Sequence, residues 1–385
     1  MNWPTVPIED LDAADFYPPF CPWRDCRQHR VPYGSQPRFH RHGHYRSRSR
    51  EERIPRFRCC TCKHTCSRQT FSCTYYLKRP ELGPPIAAAL EAGSAHRQIA
   101  RSLRCAPSTV THRAARLGRH ALLLLHHALE SGPPLDEPLV VDHFETFAFS
   151  QDFPFGVATA VGARSWFIYG LDPAPHEPGG TPRKRSQADP PDRRGGYRAS
   201  FSRLLDVVLQ LAKGSTPLDL VTDGHDSYVD AIESHEERRR ICHRRFPNPK
   251  GRRKGAPRTP EMRRRDAAMF PVDLLHGILR HTCAHHRRET IAFGRRLNAL
   301  MERFFLTAVW RNFVKLRSER RPRPPATPAM LRGLTKSRWS WERVLAKRLF
   351  ATRTKLASAW QEIYDRLLIT PAAGRNRPHS LLRAY

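Results

Sequence analysis

Two short apolar runs end on aspartate: Leu139-Val140-Val141-Asp142 and Leu218-Asp219-Leu220-Val221-Thr222-Asp223. Each is rich in β-branched residues and bounded by polar or proline residues, which is how a buried strand reads. A carboxylate at the end of such a strand stands at the rim of a sheet, where it can face a cleft. Two of them in a chain of formal charge +31 suggest a divalent-metal site acting on a polyanion, because carboxylate-held Mg²⁺ pairs catalyse in-line phosphoryl displacement.

Between the two runs lie further strand-like segments at Thr146–Phe149, Gly156–Val161 and Ser165–Leu171, and then a helical stretch at Phe201–Leu211. Strand, strand, strand, helix, strand is the order of an RNase H-like fold, with one acid on the first strand, one after the fourth and a third on a later helix. The fold class expected is therefore α/β, with an RNase H-like mixed sheet and flanking helices over residues 138–317. Basic insertions fall near 172–198 and 247–266. Residues 270–317 read as long helix, broken once. A basic linker and a C-terminal helical tail with Trp339, Trp341 and Trp360 occupy 320–385, and residues 1–20 read as a flexible arm.

The 385 residues suffice for two or three domains. Lys and Arg number 67 against 36 Asp and Glu, and the pI is near 10.8. Arginine outnumbers lysine, and its fork matches phosphate oxygens, so the balance points to nucleic acid, although a GC-rich coding bias would also raise Arg, Ala and Pro. The longest apolar candidate, Ala121–Leu125, is interrupted by His126 and His127, so no membrane span is expected. The N-terminus lacks a basic-then-apolar leader, which makes a cytoplasmic protein the expectation. Its ten cysteines are then thiols or metal ligands rather than disulfides.

Seven of the ten cysteines fall in residues 21–75. Cys21 and Cys26, then Cys59 and Cys62, are two close pairs flanking a basic, aromatic span, Arg38-Phe39-His40-Arg41-His42-Gly43-His44-Tyr45 and Arg56-Phe57-Arg58. That is the spacing of a zinc ribbon over residues 21–78, in which four thiolates close a tetrahedral Zn²⁺ site. Cys60 in place of Cys59, Cys66 in place of Cys62, and His29 in place of a cysteine are alternatives. Cys105, Cys242 and Cys283 stand alone and read as buried small hydrophobes.

Residues 83–130 are helical in pattern. Gly93-Ser94 separates an apolar helix from His96–Leu103, Arg104-Cys105-Ala106 makes a turn, and Pro107 opens another helix. A helix-turn-helix puts the first residues of its second helix on base edges in the major groove, here Ser108, Thr109, Thr111, His112 and Arg113. An ordinary helical hairpin is the competing reading.

With ribbon, helix pair and strand order in this sequence, the chain resembles the DDE transposases of bacterial insertion sequences over most of its length. Arg56-Phe57-Arg58-Cys59 with Thr70-Phe71 is similar to their N-terminal DNA-recognition module. Val140-Val141-Asp142 and Val221-Thr222-Asp223 resemble their first two catalytic acids. Arg288-Glu289-Thr290-Ile291-Ala292-Phe293 is similar to a motif on the C-terminal helix of one such family. The resemblance implies a third acid with a basic residue seven positions on. Asp273, after Pro271 at an expected helix start and followed by Arg280, ranks first, although the family's usual residue is Glu. Glu302 ranks second and Glu289 third, and for both a solvated ion pair on a basic helix competes.

The resemblance further implies Mg²⁺ or Mn²⁺ at Asp142, Asp223 and Asp273, hydrolytic nicking followed by 3′-OH attack on target DNA, and no covalent protein–DNA intermediate. The partners implied are duplex DNA at the element's ends and at the target, and further copies of the chain in a synaptic complex; no small-molecule substrate is implied. His225 is a possible substrate contact. A catalytically inactive DNA-binding regulator and, behind it, a zinc-ribbon RNA-binding protein are the rival readings.

Overall fold

The structure, a computed structural model, describes residues 1–12, 15–32, 34–47, 52–150, 153–175, 194–212, 217–248, 257–287, 290–320, 325–370 and 373. At its centre is a mixed five-stranded sheet. Three strands, β4 (Leu139–Phe147), β5 (Pro154–Gly162) and β6 (Ile168–Pro175), form an antiparallel meander. Two more, β7 (Leu218–Thr222) and β8 (Ile241–Arg245), extend it in parallel from the free edge of β4, so that the order is β6-β5-β4-β7-β8. Strand β5 is buried along almost its whole length. Its apolar run is continuous rather than alternating because helices cover both faces.

One face is covered by α4 (Arg194–Leu211) and α5 (Asp226–Glu233), the other by α6 (Pro260–Thr282). Glycine permits the close fit on the first face. A Cβ at Gly156 would stand 2.8 Å from the Tyr197 ring, and one at Gly170 would overlap the Leu204 side chain. Side-chain alternation along β4 sends His143 toward α4 and α5, Asp142 and Phe144 toward α6, and Thr146 toward His286 just beyond the end of α6.

Ahead of the sheet come three helices, α1 (Gly83–Glu91), α2 (His96–Ser102) and α3 (Pro107–Ser131). Ala121–Leu125 lies in α3 and is fully buried, which explains its apolar run. Here α3 packs on α7 (Leu297–Val309) so tightly that a Cβ at Gly118 would overlap the Glu302 backbone. Further upstream, β1 (Phe39–Arg46), β2 (Arg53–Cys59) and β3 (Thr65–Cys66) form a small antiparallel sheet. It is held to the body by Phe16, Phe20, Phe57, Phe71 and Phe350. No helix among the described residues is long and apolar enough to cross a membrane.

Several expectations are corrected. Residues 139–142 and 146–149 are not separate strands: β4 runs unbroken from Leu139 to Phe147, and Asp142 sits within it, paired with Thr159 of β5. The segment 1–20 is docked rather than a loose arm. Trp3 is buried and stacks on Trp339 at 5.7 Å, its indole N–H donates to Arg343 O at 2.7 Å, and Phe16 and Phe20 join the aromatic cluster. Asp172 is no part of an insertion, since β6 continues to Pro175 and the buried Asp172 pairs with Arg203. Likewise α6 begins at Pro260, inside the second expected insertion. The helix expected over 270–317 is broken once, as expected, into α6 and α7, but it starts ten residues earlier, at Pro260. Over its described residues the C-terminal tail is mostly an irregular wrap with the short helices α8 (Pro328–Leu331), α9 (Trp341–Val344) and α10 (Ser358–Tyr364). Trp339 and Trp360 anchor it in the core, and Trp360 donates to Leu171 O at 3.0 Å.

Candidate functional sites: a carboxylate cleft and a four-cysteine centre

Strands β4 and β7 pair in parallel at Leu139–Leu220 and Val140–Val221. Asp142 and Asp223 each follow the last of these pairs by two residues, so the register sets the two carboxylates side by side where β7 ends. This is the edge at which the sheet changes from antiparallel to parallel, the kind of crevice in which open α/β sheets hold ligands. From the opposite layer, α6 brings Asp273 close enough for its charge to act on Asp142. Asp273 lies in the interior of α6 rather than at a helix start, because Pro271 is accommodated within the helix.

The surroundings of Asp142 are specific. Its Oδ1 accepts from the backbone N–H of His143 at 2.8 Å and from the Tyr228 hydroxyl at 3.2 Å. Its Oδ2 makes no hydrogen bond among the described residues and stands 3.8 Å from His276 Nδ1. Burial holds His276 near 3, with Arg280 lowering it further, so the imidazole is neutral and this approach is not an ion pair. The other nitrogen of His276 meets the Thr159 hydroxyl at 3.0 Å, and that hydroxyl also donates to Asp142 O at 2.9 Å. Asp223 accepts from His225 N–H at 3.0 Å and from Asn248 Nδ2 at 3.1 Å. Asp273 pairs with Arg265 at 2.5 Å.

Burial first, and then the charges of Asp223 and Asp273, push the Asp142 carboxyl up to about 7, against the lowering effect of its two hydrogen bonds. The folded-state pKa lies above the unfolded one, so ionising Asp142 destabilises the cation-free fold as pH rises from about 4 to about 7. With no divalent cation added, Asp142→Asn protein should exceed wild type in stability at pH 8 by on the order of 2 kcal/mol. The difference should vanish near pH 4. Urea melts at the two pH values measure this, and equal stabilities at pH 8 would contradict it.

The remaining expected residues separate clearly. The Arg280 guanidinium donates to Glu145 O at 2.9 Å and His286 O at 3.3 Å and lies 4.7 Å over Phe144. It clamps α6 onto β4. Glu302 does not join Asp142 and Asp223: it is buried where α7 meets α3 and paired with Arg119 at 3.0 Å and Arg366 at 3.2 Å. Glu289 and Arg288 lie outside the described residues. His225 caps α5 through Ser227 N–H. The sequence reading missed His143, Thr159, Tyr228, Asn248 and His276. Two carried a usable signal: His143 adjoins Asp142, and His276 lies one helical turn from Asp273.

The second centre is in the small sheet's module. The sulfurs of Cys21, Cys26, Cys59 and Cys62 all lie within 4.8 Å of one another, with Cys21–Cys62 at 3.5 Å and Cys26–Cys59 at 3.8 Å. A tetrahedron of thiolates around zinc has edges of about 3.8 Å. The four cysteines could therefore hold a metal ion such as Zn²⁺, and soft thiolates suit it. Tight turns build the site: Cys26 N–H donates to Trp23 O, Cys59 N–H to His64 O, and Lys63 takes a φ of 64°. Trp23 stacks on His64 at 3.9 Å beside it.

Burial raises the Cys21 and Cys26 thiols. It also acts to raise Cys59, but the N–H groups of Cys62 and Thr61 and the neighbouring sulfurs bring that thiol below its ordinary value. The alternative ligands are not in the cluster. Cys66 belongs to the aromatic cluster, and His29 is bonded to Cys21 O and the Thr352 hydroxyl. Of the lone cysteines, Cys283 is buried as expected, whereas Cys242 is exposed.

Past Phe39 every residue of β1 is exposed, including His40, Arg41, His42, His44 and Arg46. On the helical unit, Ser108, Thr111 and His112 at the start of α3 are exposed, beside exposed Arg97, Arg101 and Arg104. Thr109 is half-buried. Thr111 donates to Pro107 O and lies 3.1 Å from His96. Arg113 departs from the expectation of a base-reading residue, because it is buried and donates to Arg79 O at 2.8 Å.

Neither a protein-family model, nor a characterised protein, nor a solved structure matches the chain.

Proposed function

We propose that the chain is a metal-dependent DNA strand-cleaving and strand-transferring enzyme of the insertion-sequence transposase kind. The observation that carries this reading is the convergence of Asp142 from β4, Asp223 from the end of β7 and Asp273 from α6, with one oxygen of Asp142 left without a hydrogen-bond donor among the described residues. The sheet order, a three-stranded meander extended in parallel from its first strand, supports an RNase H-like core.

The three carboxylates are hard oxygen donors and would hold Mg²⁺ or Mn²⁺, which activates a water or 3′-hydroxyl and stabilises the leaving oxygen when bound. His276, Thr159 and Arg280 orient the layer behind Asp142, and Asn248 orients Asp223. The exposed basic faces of β1 and of the α2–α3 pair, read as a ribbon and a helix-turn-helix, supply phosphate contacts to duplex DNA. Bringing two DNA ends together calls for more than one copy of the chain.

A second reading, an inactive DNA-binding regulator, draws on the Arg265–Asp273 pair, which already sets a cation against the third acid. A plasmid carrying the coding sequence with its native flanks separates the two. With Mg²⁺ or Mn²⁺ the enzyme should nick the flanks and leave 3′-hydroxyl ends, mapped by primer extension. Tight duplex binding without cleavage at any metal concentration would replace the enzyme reading with the regulator.

A further inference from the structure

The face of β4 opposite the cleft carries a buried polar chain that ends on the cleft's own carboxylate. Tyr228, on α5, is buried, and its hydroxyl lies 2.7 Å from His143 Nδ1 and 3.2 Å from Asp142 Oδ1. His143 Nε2 lies 2.8 Å from the Ser200 hydroxyl on α4. The His143 ring is held flat against Tyr197, 4.0 Å away and 7° from parallel. When Asp142 is ionised the protons can run in only one direction. Tyr228 has one proton and gives it to Asp142, and its oxygen then accepts from His143 Nδ1–H; the Ser200 hydroxyl at His143 Nε2 also lies 3.2 Å from Tyr197 O. Burying a histidine, a tyrosine and a serine in this order costs desolvation that a purely apolar packing would avoid. The return is a fixed orientation of one carboxylate.

We propose that Tyr228, backed by His143, is the positioning residue that pins Oδ1 of Asp142 and thereby leaves Oδ2 facing the cleft for a divalent cation. The proposal rests on the reading of Asp142 as a metal-binding carboxylate. Hydrogen-bonded partners of this kind orient a ligand and set its affinity, and removing one typically weakens metal binding by about 10- to 100-fold. Neither residue touches substrate in this scheme. Both act through Asp142.

The test is direct Mn²⁺ binding to the full chain, followed by the electron paramagnetic resonance signal of free Mn²⁺, so that no activity is needed. Tyr228→Phe keeps the buried ring and removes the donor. It should raise the Mn²⁺ dissociation constant about 10- to 100-fold, with Asp142→Asn as the control that abolishes binding. In cleavage assays the metal midpoint should move by the same factor, while the rate at saturating Mn²⁺ returns to within a few-fold of wild type.

If Tyr228→Phe does not fold, as judged by its melt, His143→Phe carries the test. It preserves the stack on Tyr197 and should shift Mn²⁺ binding in the same direction by a smaller factor. Unchanged Mn²⁺ affinity in the folded variant, or a loss of rate at an unchanged midpoint, overturns the positioning role and leaves the carboxylate site standing. A wild-type protein that binds no Mn²⁺ overturns the carboxylate site itself, and the positioning role with it.

Discussion

Asn at position 142 or 223 will abolish metal-dependent DNA cleavage and leave duplex binding within a few-fold of wild type. Each substitution keeps the side chain's size; at 142 the amide oxygen can still accept from His143 and Tyr228, and at 223 it can still accept from His225, with the Asn248 amide turning to meet the new NH2. What is lost is one negative charge at the point where two carboxylates stand in register on adjacent parallel strands. Charge stabilisation by a bound divalent metal is worth several kcal/mol in the transition state. A loss of about 4 kcal/mol corresponds to roughly a thousandfold in rate. The basic surfaces that would meet phosphate, on β1 and around α2 and α3, are untouched. Gel-shift titration beside a nicking assay reads both quantities. Cleavage at the wild-type rate by either variant would remove that aspartate from the site, and loss of both binding and cleavage would indicate misfolding.

Replacing Cys59 by Ser will release one equivalent of zinc per chain and unfold the module built on β1, β2 and β3. Zinc held by structural thiolates contributes about 10–16 kcal/mol of apparent binding free energy at neutral pH. So small a sheet has little else: its own apolar contacts are chiefly Phe16, Phe20, Phe57 and Phe71, shared with Phe350 of the C-terminal wrap. The same substitution at Cys60, whose sulfur is outside the four-cysteine cluster, should leave metal content and melting unchanged. Metal analysis by mass spectrometry and thermal melts of the two variants make the comparison. Zinc retained in full by the Cys59→Ser protein would sink the assignment of that ligand.

Much of this site was legible in the residues because the signals are local. Two β-branched runs ending on aspartate specify strands and the position of their acids. Cysteine pairs with four and two residues between them need only tight turns to bring their sulfurs together, and Cys21, Cys26, Cys59 and Cys62 do assemble. The breaks around α2 followed from Gly93 and Pro107, whose backbones end and begin helices.

What failed was long-range. Glu302 and Arg113 look on the sequence like exposed charges on basic helices. Each is buried by a partner far along the chain, Glu302 by Arg119 and Arg366, and Arg113 by the Arg79 carbonyl. The N-terminal segment reads as loose because its few apolar residues are scattered, yet Trp3 finds Trp339 more than three hundred residues away.

The sequence by itself determined the elements and the chemistry of the groups they carry: strands carrying acids, paired thiols, a three-helix unit and a strongly basic chain. These follow from periodicity, turn-forming residues and charge, which act over a few positions. Only the tertiary structure decided which groups meet. Register between β4 and β7 aligned Asp142 with Asp223, the path of α6 brought Asp273 rather than Glu302 toward them, and α5 carried Tyr228 to the back of Asp142. Those choices depend on packing between layers distant in sequence, where burial and the need to satisfy each buried polar group select one partner among several charged candidates.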